Sequence, residues 1–287
     1  MSDKKMNDQD PNTTGHSWDG IEEFDNPLPR WWLWTFYASI LFAIVWTILY
    51  PAWPISTKGA TPGLLGYSSR AAVAADIERY KKANAAVDKK LTSVPVDQIE
   101  KDPELLNYAL NGGAAVFRTW CAQCHGAGAS GAKGYPNLID DDWLWGGTID
   151  DIYTTISHGI RYASDEDTRD SQMPVFGEML EPAEIQQLVQ YVRSISGQEH
   201  NAAAAAAGKT LFADNCAACH GEDGKGGREF GAPNLTDQIW LYGGDVATIT
   251  ETITNSRHGV MPAWAGRLTE SQIRQVAVWV HQQGGGE

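Results

Sequence analysis

The chain has 287 residues, 43% hydrophobic and 20% charged, and its 36 Asp and Glu against 22 Lys and Arg give a formal charge of −14. Such acidity excludes a nucleic-acid binder, which needs clustered Lys and Arg against phosphate, and four Cys in this length exclude a disulfide-built scaffold. The length suggests about two domains, and 29 Gly with 12 Trp suit loop-rich domains wrapped around a large, flat group.

Residues 1–30 are polar and carry seven acids against Lys4, Lys5 and Arg30. They are predicted to order only on a partner. Residues 31–50 then read WWLWTFYASILFAIVWTILY, without a formal charge. At about 1.5 Å per residue, a helix of this length crosses the ~30 Å core of a bilayer. Trp31, Trp32 and Trp34 at one end and Trp46, Tyr50 and Trp53 at the other make the two aromatic belts of a spanning helix. A soluble core helix would carry a polar stripe, and a signal peptide would have a shorter apolar stretch with a small-residue cleavage site. A single uncleaved anchor is therefore expected, ended by Pro51 and Pro54. The flanking charges, Lys58 and Arg70 on the far side, do not fix its orientation.

Residues 51–111 form a linker and spacer. A Pro/Gly-rich exit runs to about residue 68. Ala72, Ala75, Ile77, Tyr80 and Ala83 then recur at loose helical spacing, which predicts a surface helix over Arg70 to Leu91.

An internal repeat follows, at residues 112–196 and 208–287, with a linker at 197–207 whose run of Ala begins the next helix. Gly113, Phe117, Cys121, Cys124 and His125 recur 95 residues on as Gly208, Phe212, Cys216, Cys219 and His220. Pro136-Asn137-Leu138, Trp143-Leu144, His158-Gly159 and Met173-Pro174 recur in the same order as Pro233-Asn234-Leu235, Trp240-Leu241, His258-Gly259 and Met261-Pro262. Each copy reads as a helix into the Cys motif, a long glycine-bearing loop and a closing helix. The closing helices open at Glu181-Pro182 and at Thr269-Glu270-Ser271-Gln272, the latter a capping box. Ile185, Leu188, Val189, Val192 and Ile195 form one apolar face, and Ile273, Val276, Trp279 and Val280 the other. About 80 residues with so few apolar faces make a small core, so something else must fill it.

Cys121-Ala122-Gln123-Cys124-His125 and Cys216-Ala217-Ala218-Cys219-His220 are C-x-x-C-H motifs, the pattern of covalent haem c attachment. Two thiols three residues apart reach the two vinyl groups of one porphyrin edge, and the adjacent His comes under the iron. Two such groups consume all four Cys. Structural disulfides would not need a His after each pair. A redox C-x-x-C wants a thioredoxin-like setting. One shared zinc would leave both His and both Met-Pro unexplained.

Electron-transfer cytochromes take His and Met as axial ligands. Met173 and Met261 each precede Pro and lie 48 and 41 residues after their His, so both are candidate sixth ligands. The self-contained pairing sets Met173 with His125 and Met261 with His220. A crossed pairing, Met261 with His125 and Met173 with His220, stays open, because 15 residues separate His158 from Met173 and only 3 separate His258 from Met261. With both axial positions filled, the expected chemistry is electron transfer. His158 and His258 are rival ligands or hydrogen-bonding histidines at the haem edge. Trp143 and Trp240 are candidates to donate an indole N–H to a propionate or to pack on the macrocycle. Pro136 and Pro233 are candidates to accept from the ring N–H of the ligating His. His16, His200 and His281 are expected to be exposed. Covalent haem c is assembled on the outer face of the bacterial inner membrane, as the cytochrome c family implies, so the haem domains are expected in the periplasm and residues 1–30 in the cytoplasm.

The whole arrangement is all-α: one N-terminal transmembrane helix plus two tandem class I-like cytochrome c domains. Together with Trp18-Asp19-Gly20-Ile21-Glu22-Glu23 and Asp25-Asn26-Pro27-Leu28-Pro29-Arg30-Trp31-Trp32 before the anchor, it resembles the dihaem subunit III of bacterial cbb3-type cytochrome c oxidases. The resemblance covers the chain from the acidic tail to the C-terminus. It implies two covalently bound haem c, oxidase subunits I and II as partners, and a donor cytochrome c, which the acidity suggests is basic. It further implies that electrons pass from this chain through subunit II to O₂ reduction in subunit I, not in this chain. The other readings are a membrane-anchored dihaem carrier serving a different periplasmic enzyme, and a dihaem peroxidase, which needs an iron that can open a coordination site.

Overall fold

The computed structural model describes residues 13–55 and 59–287, so Lys4, Lys5 and Lys58 lie outside the described residues. The chain divides into two compact units, residues 1–83 and 84–287.

The first unit opens with an antiparallel hairpin, β1 (Thr13–Trp18) and β2 (Ile21–Phe24), turned by Asp19-Gly20 with both residues at positive φ. The polar reading of residues 1–30 gave no strand here. Trp18, Ile21 and Phe24 are all exposed, and a lone hairpin is marginal in water. Helix α1 (Arg30–Leu49) follows, one residue ahead of the sequence expectation, and none of its side chains is buried by the rest of the chain. Its three Ser and Thr hydroxyls bond back to the helix: Thr35 to the Trp31 carbonyl at 2.9 Å, Ser39 to Phe36 at 2.7 Å and Thr47 to Ile44 at 2.9 Å. These small polar side chains are thus satisfied within the helix, as an apolar solvent requires. The exit folds back on the helix end. Leu64 and Leu65 donate to the Ile48 and Leu49 carbonyls, and the left-handed backbone of Gly63 lets the chain pass where a Cβ would meet the Leu49 oxygen at 2.5 Å.

Helix α2 (Ser69–Ser93) carries the chain into the second unit. There Leu91, with Val96 and Ile99 of the short α3 (Val96–Ile99), packs on Leu105 and Ala109 of α4 (Pro103–Val116). A π-helical turn, Phe117–Cys121, joins α4 to α5 (Ala122–His125). Then come α6 (Ile149–His158), α7 (Pro182–Ile195), α8 (Ala202–Asn215), α9 (Ala217–His220), α10 (Val246–Asn255) and α11 (Glu270–His281). The capping box read at Thr269 is built, with Thr269 and Gln272 bonding reciprocally, and α7 adds a cap of its own, Glu184 accepting from the Glu181 N–H at 2.9 Å.

The closing helices are exchanged between the two copies. α7 packs on α8, and α11 packs on α4. Each contact repeats one design. An aromatic pair closes it, Phe117 with Trp279 at 4.4 Å and Phe212 with Tyr191 at 5.1 Å. A glycine lets the backbones touch: a Cβ on Gly113 would stand 2.2 Å from the Gln275 carbonyl oxygen, and one on Gly208 would stand 2.1 Å from that of Gln187. The segments 112–196 and 208–287 are thus repeats of sequence, while the packed cores follow a different partition. The reason is the connection between them. Residues 196–201 are all that separate α7 from α8, and a connection so short folds two helices back on each other. This leaves α4 to be covered by the last helix of the chain.

Candidate haem sites

Each C-x-x-C-H motif forms a short helix that ends on a glycine in the left-handed region, Gly126 at φ +78° and Gly221 at φ +77°. The chain then wraps round to the His carbonyl: Gly131 donates to His125 at 2.9 Å and Gly226 to His220 at 2.8 Å. The same turn delivers a proline carbonyl to each imidazole. His125 Nδ1–H donates to Pro136 and His220 Nδ1–H to Pro233, both at 3.1 Å. That bond fixes the ring and its tautomer and leaves Nε2 as the ligating nitrogen. Burial pushes both imidazoles toward neutrality, the ligand form, with the proline carbonyls partly opposing it.

All four Cys are free of disulfides. Burial, and then the neighbouring Cys of each motif, push the Cys121 and Cys216 thiols up to about 11. The surroundings therefore favour neutral sulfur, the state a thioether also has. A cavity of about 580 Å³ opens on Cys216, Cys219 and His220, with Met173, Trp240 and His258 among its walls. That volume lies within the range of cofactor pockets. Free thiols, an oriented imidazole and a cavity of this size fit haem c.

Met261 packs in the core that holds Phe117, Cys121, Ala122, Trp143 and Trp264, and so beside the first motif. Met173 packs with Phe212, Cys216, Ala217 and Trp240, beside the second. The self-contained pairing would need the opposite arrangement. The exchange of closing helices explains the difference, because each Met lies just before the helix that is exchanged.

The other candidates separate. Pro136 and Pro233 touch the His rings as described, and Trp240 and His258 line the cavity. Trp143 packs against the first core, but its indole N–H donates to the Gly285 carbonyl and is not free for a propionate. His158 Nδ1 lies 3.2 Å from Asp165. His281 is not exposed and free: it bonds Glu100 at 2.7 Å, tying α11 to the spacer. Sequence reasoning passed over Trp264, Arg161 and Arg257. Arg161 and Arg257 carry no motif, and Trp264 gains meaning only from the exchanged packing.

These sites define a c-type cytochrome. The family of cbb3-type cytochrome c oxidase subunit III matches residues 109–192 and 203–280, and the N-terminal domain of cytochrome oxidase-cbb3, FixP, matches residues 10–57. The chain is 62% identical over 285 residues to the cbb3-type cytochrome c oxidase subunit CcoP of Cereibacter sphaeroides, covering 99% of this chain and 98% of that protein. It is 54% identical over 278 residues to the subunit FixP of Azorhizobium caulinodans, covering 96% and 94%. The chain belongs to the subunit III family of cbb3-type cytochrome c oxidases and is an electron-transfer cytochrome subunit.

Proposed function

We propose that this chain holds two haem c groups, one on Cys121 and Cys124 with His125 and Met261 as axial ligands, the other on Cys216 and Cys219 with His220 and Met173. The observation that carries this reading is the packing of each Met in the core of the other copy's Cys motif. When bound, haem iron supplies one-electron exchange between ferric and ferrous states. The chain's own residues hold it there. The Pro136 and Pro233 carbonyls orient the imidazoles, the four Cys would hold the macrocycles as thioethers, and with a His and a Met on each iron no site would be open to O₂ or peroxide. The chain therefore relays electrons and leaves O₂ reduction to another subunit.

Its place in the relay follows from family and charge. It receives electrons from a c-type cytochrome and passes them through oxidase subunit II to subunit I. The 36 acids suit a basic donor, and reduction by such a donor should slow as salt shortens the Debye length. Helix α1 anchors the chain in the bacterial inner membrane with a single pass, the N-terminus cytoplasmic and the haem domains periplasmic.

The test is haem stoichiometry with Met261→Ala and Met173→Ala variants. Two haems per chain are expected. Met261→Ala should abolish the weak thioether–ferric absorption of the haem that disappears when Cys121 and Cys124 are replaced. Loss at the other haem returns the self-contained pairing, and one haem per chain refutes the dihaem reading.

A further inference from the structure

Arg161 belongs to the first copy, yet it lines the cavity that holds the second motif's Cys216, Cys219 and His220. It is half-buried, and its backbone sits at φ +52°, a left-handed conformation that is costly for a side chain of this size. Two carbonyls fix its guanidinium: Nε donates to Gly259 at 2.7 Å and Nη1 to Ser171 at 2.7 Å. Carbonyls orient a cation but do not neutralise it. Among the described residues Arg161 forms no ion pair with any Asp or Glu. Its neighbour Arg169, across the Trp145 ring, is paired with Asp151 at 3.0 Å. Burial disfavours the charged form of Arg161 and lowers its pKa, with only Asp170 and Tyr242 opposing. A partly desolvated cation without an ion-pair partner is costly unless an anion completes the site. Arg257, the other guanidinium on the cavity, gives its Nε and Nη2 donors to Thr248 and Thr252 and lies on the Tyr242 ring.

We infer that Arg161 is the counter-charge for a propionate of the haem held by the second motif, so that the first copy sets the reduction potential of the second haem. A planar fork with free N–H groups is the usual partner of a carboxylate. Fixed positive charge near the iron disfavours the ferric state and raises the potential. The long segment between His158 and Met173 thereby gains a role, because it carries Arg161 across to Gly259 of the other copy. The inference rests on the haem reading above but not on which Met ligates which iron.

The test uses the full-length chain in detergent, with haem content measured first and both midpoint potentials then titrated in R161Q and R161K. R161Q should keep both haems and shift one potential downward. R161K, which keeps the charge, should restore most of that shift. The potential that moves should be the one missing when Cys216 and Cys219 are replaced by Ala. Unmoved potentials in R161Q overturn the inference, as does an equal shift in R161K, which would mark a packing role, or a shift confined to the other haem. If R161Q loses haem, R161M is titrated in its place against R161K, and the same outcomes decide. A wild-type chain without haem would instead refute the haem reading itself.

Discussion

Ile160 and Met261 pair their backbones: the Ile160 N–H donates to the Met261 carbonyl at 2.9 Å, and the Met261 N–H donates to the Ile160 carbonyl at 3.0 Å. The two residues come from different sequence copies. Gly159 makes room for the pairing, since a Cβ there would stand 2.3 Å from the Met261 oxygen. This bridge pins the Met-Pro of the second copy beside the first motif. On the other side the Ser256 hydroxyl donates to the Met173 carbonyl at 2.5 Å. The two copies are thus tied at each Met as well as at each closing helix.

Such mutual bracing predicts that neither copy is complete alone. Residues 84–200 and 201–287, expressed separately with haem, should each lack the thioether–ferric absorption and the α4–α11 or α7–α8 contact. Mixing should restore the band. Retention of the band in both separated fragments would return the self-contained pairing.

The close helix approaches should be intolerant of a methyl group. Gly113→Ala drives a Cβ into the Gln275 backbone and should cost about 1–3 kcal/mol, as overpacking does. Gly208→Ala should cost a similar amount against Gln187. Gly266, which has open space around it, serves as the control and should change stability by less than about 0.5 kcal/mol. Chemical denaturation of the three variants measures this.

Asp142 gives a pH signature. Burial first, then the charges of Asp237 and Asp140, push its carboxyl up to about 6. The folded chain therefore binds this proton more tightly than the unfolded chain, whose Asp titrates near ~3.9. Below about pH 4 the group is protonated in both states and costs nothing. Stability then falls between about pH 4 and 6 and stays reduced above that. Asp142 is only half-buried, so solvent screening limits the cost to about 1 kcal/mol. Asp142→Asn should raise stability at pH 7 by about that amount and flatten this slope. An unchanged slope would mean that Asp142 is not its source.

The anchor is tested by removal. Deleting residues 1–55 behind a cleavable secretion signal should give a soluble periplasmic chain. Recovery of that fragment in carbonate-washed membranes without partner subunits would refute a single anchor. Ile44→Asp should reduce insertion of α1 by about 2.5–3.5 kcal/mol.

Much of this molecule was legible as local pattern. Helix α1 follows from a run without charge, the haem motifs from spacing, the start of α7 from Pro182 and the cap at Thr269 from side chains that bond within one turn. The Pro136 and Pro233 contacts were legible too, because the loop from His to Pro is short and built twice. Such features depend on neighbours in sequence, so the sequence alone determined them. The partition of the cores did not follow from it. A repeat shows which segments are alike but not which closing helix meets which leading helix, since both contacts use a glycine beneath an aromatic pair. The choice fell to the short connection between α7 and α8, and with it the placement of Met173, Met261 and Arg161. Those positions depend on which surfaces meet in space, and only the tertiary structure decided that.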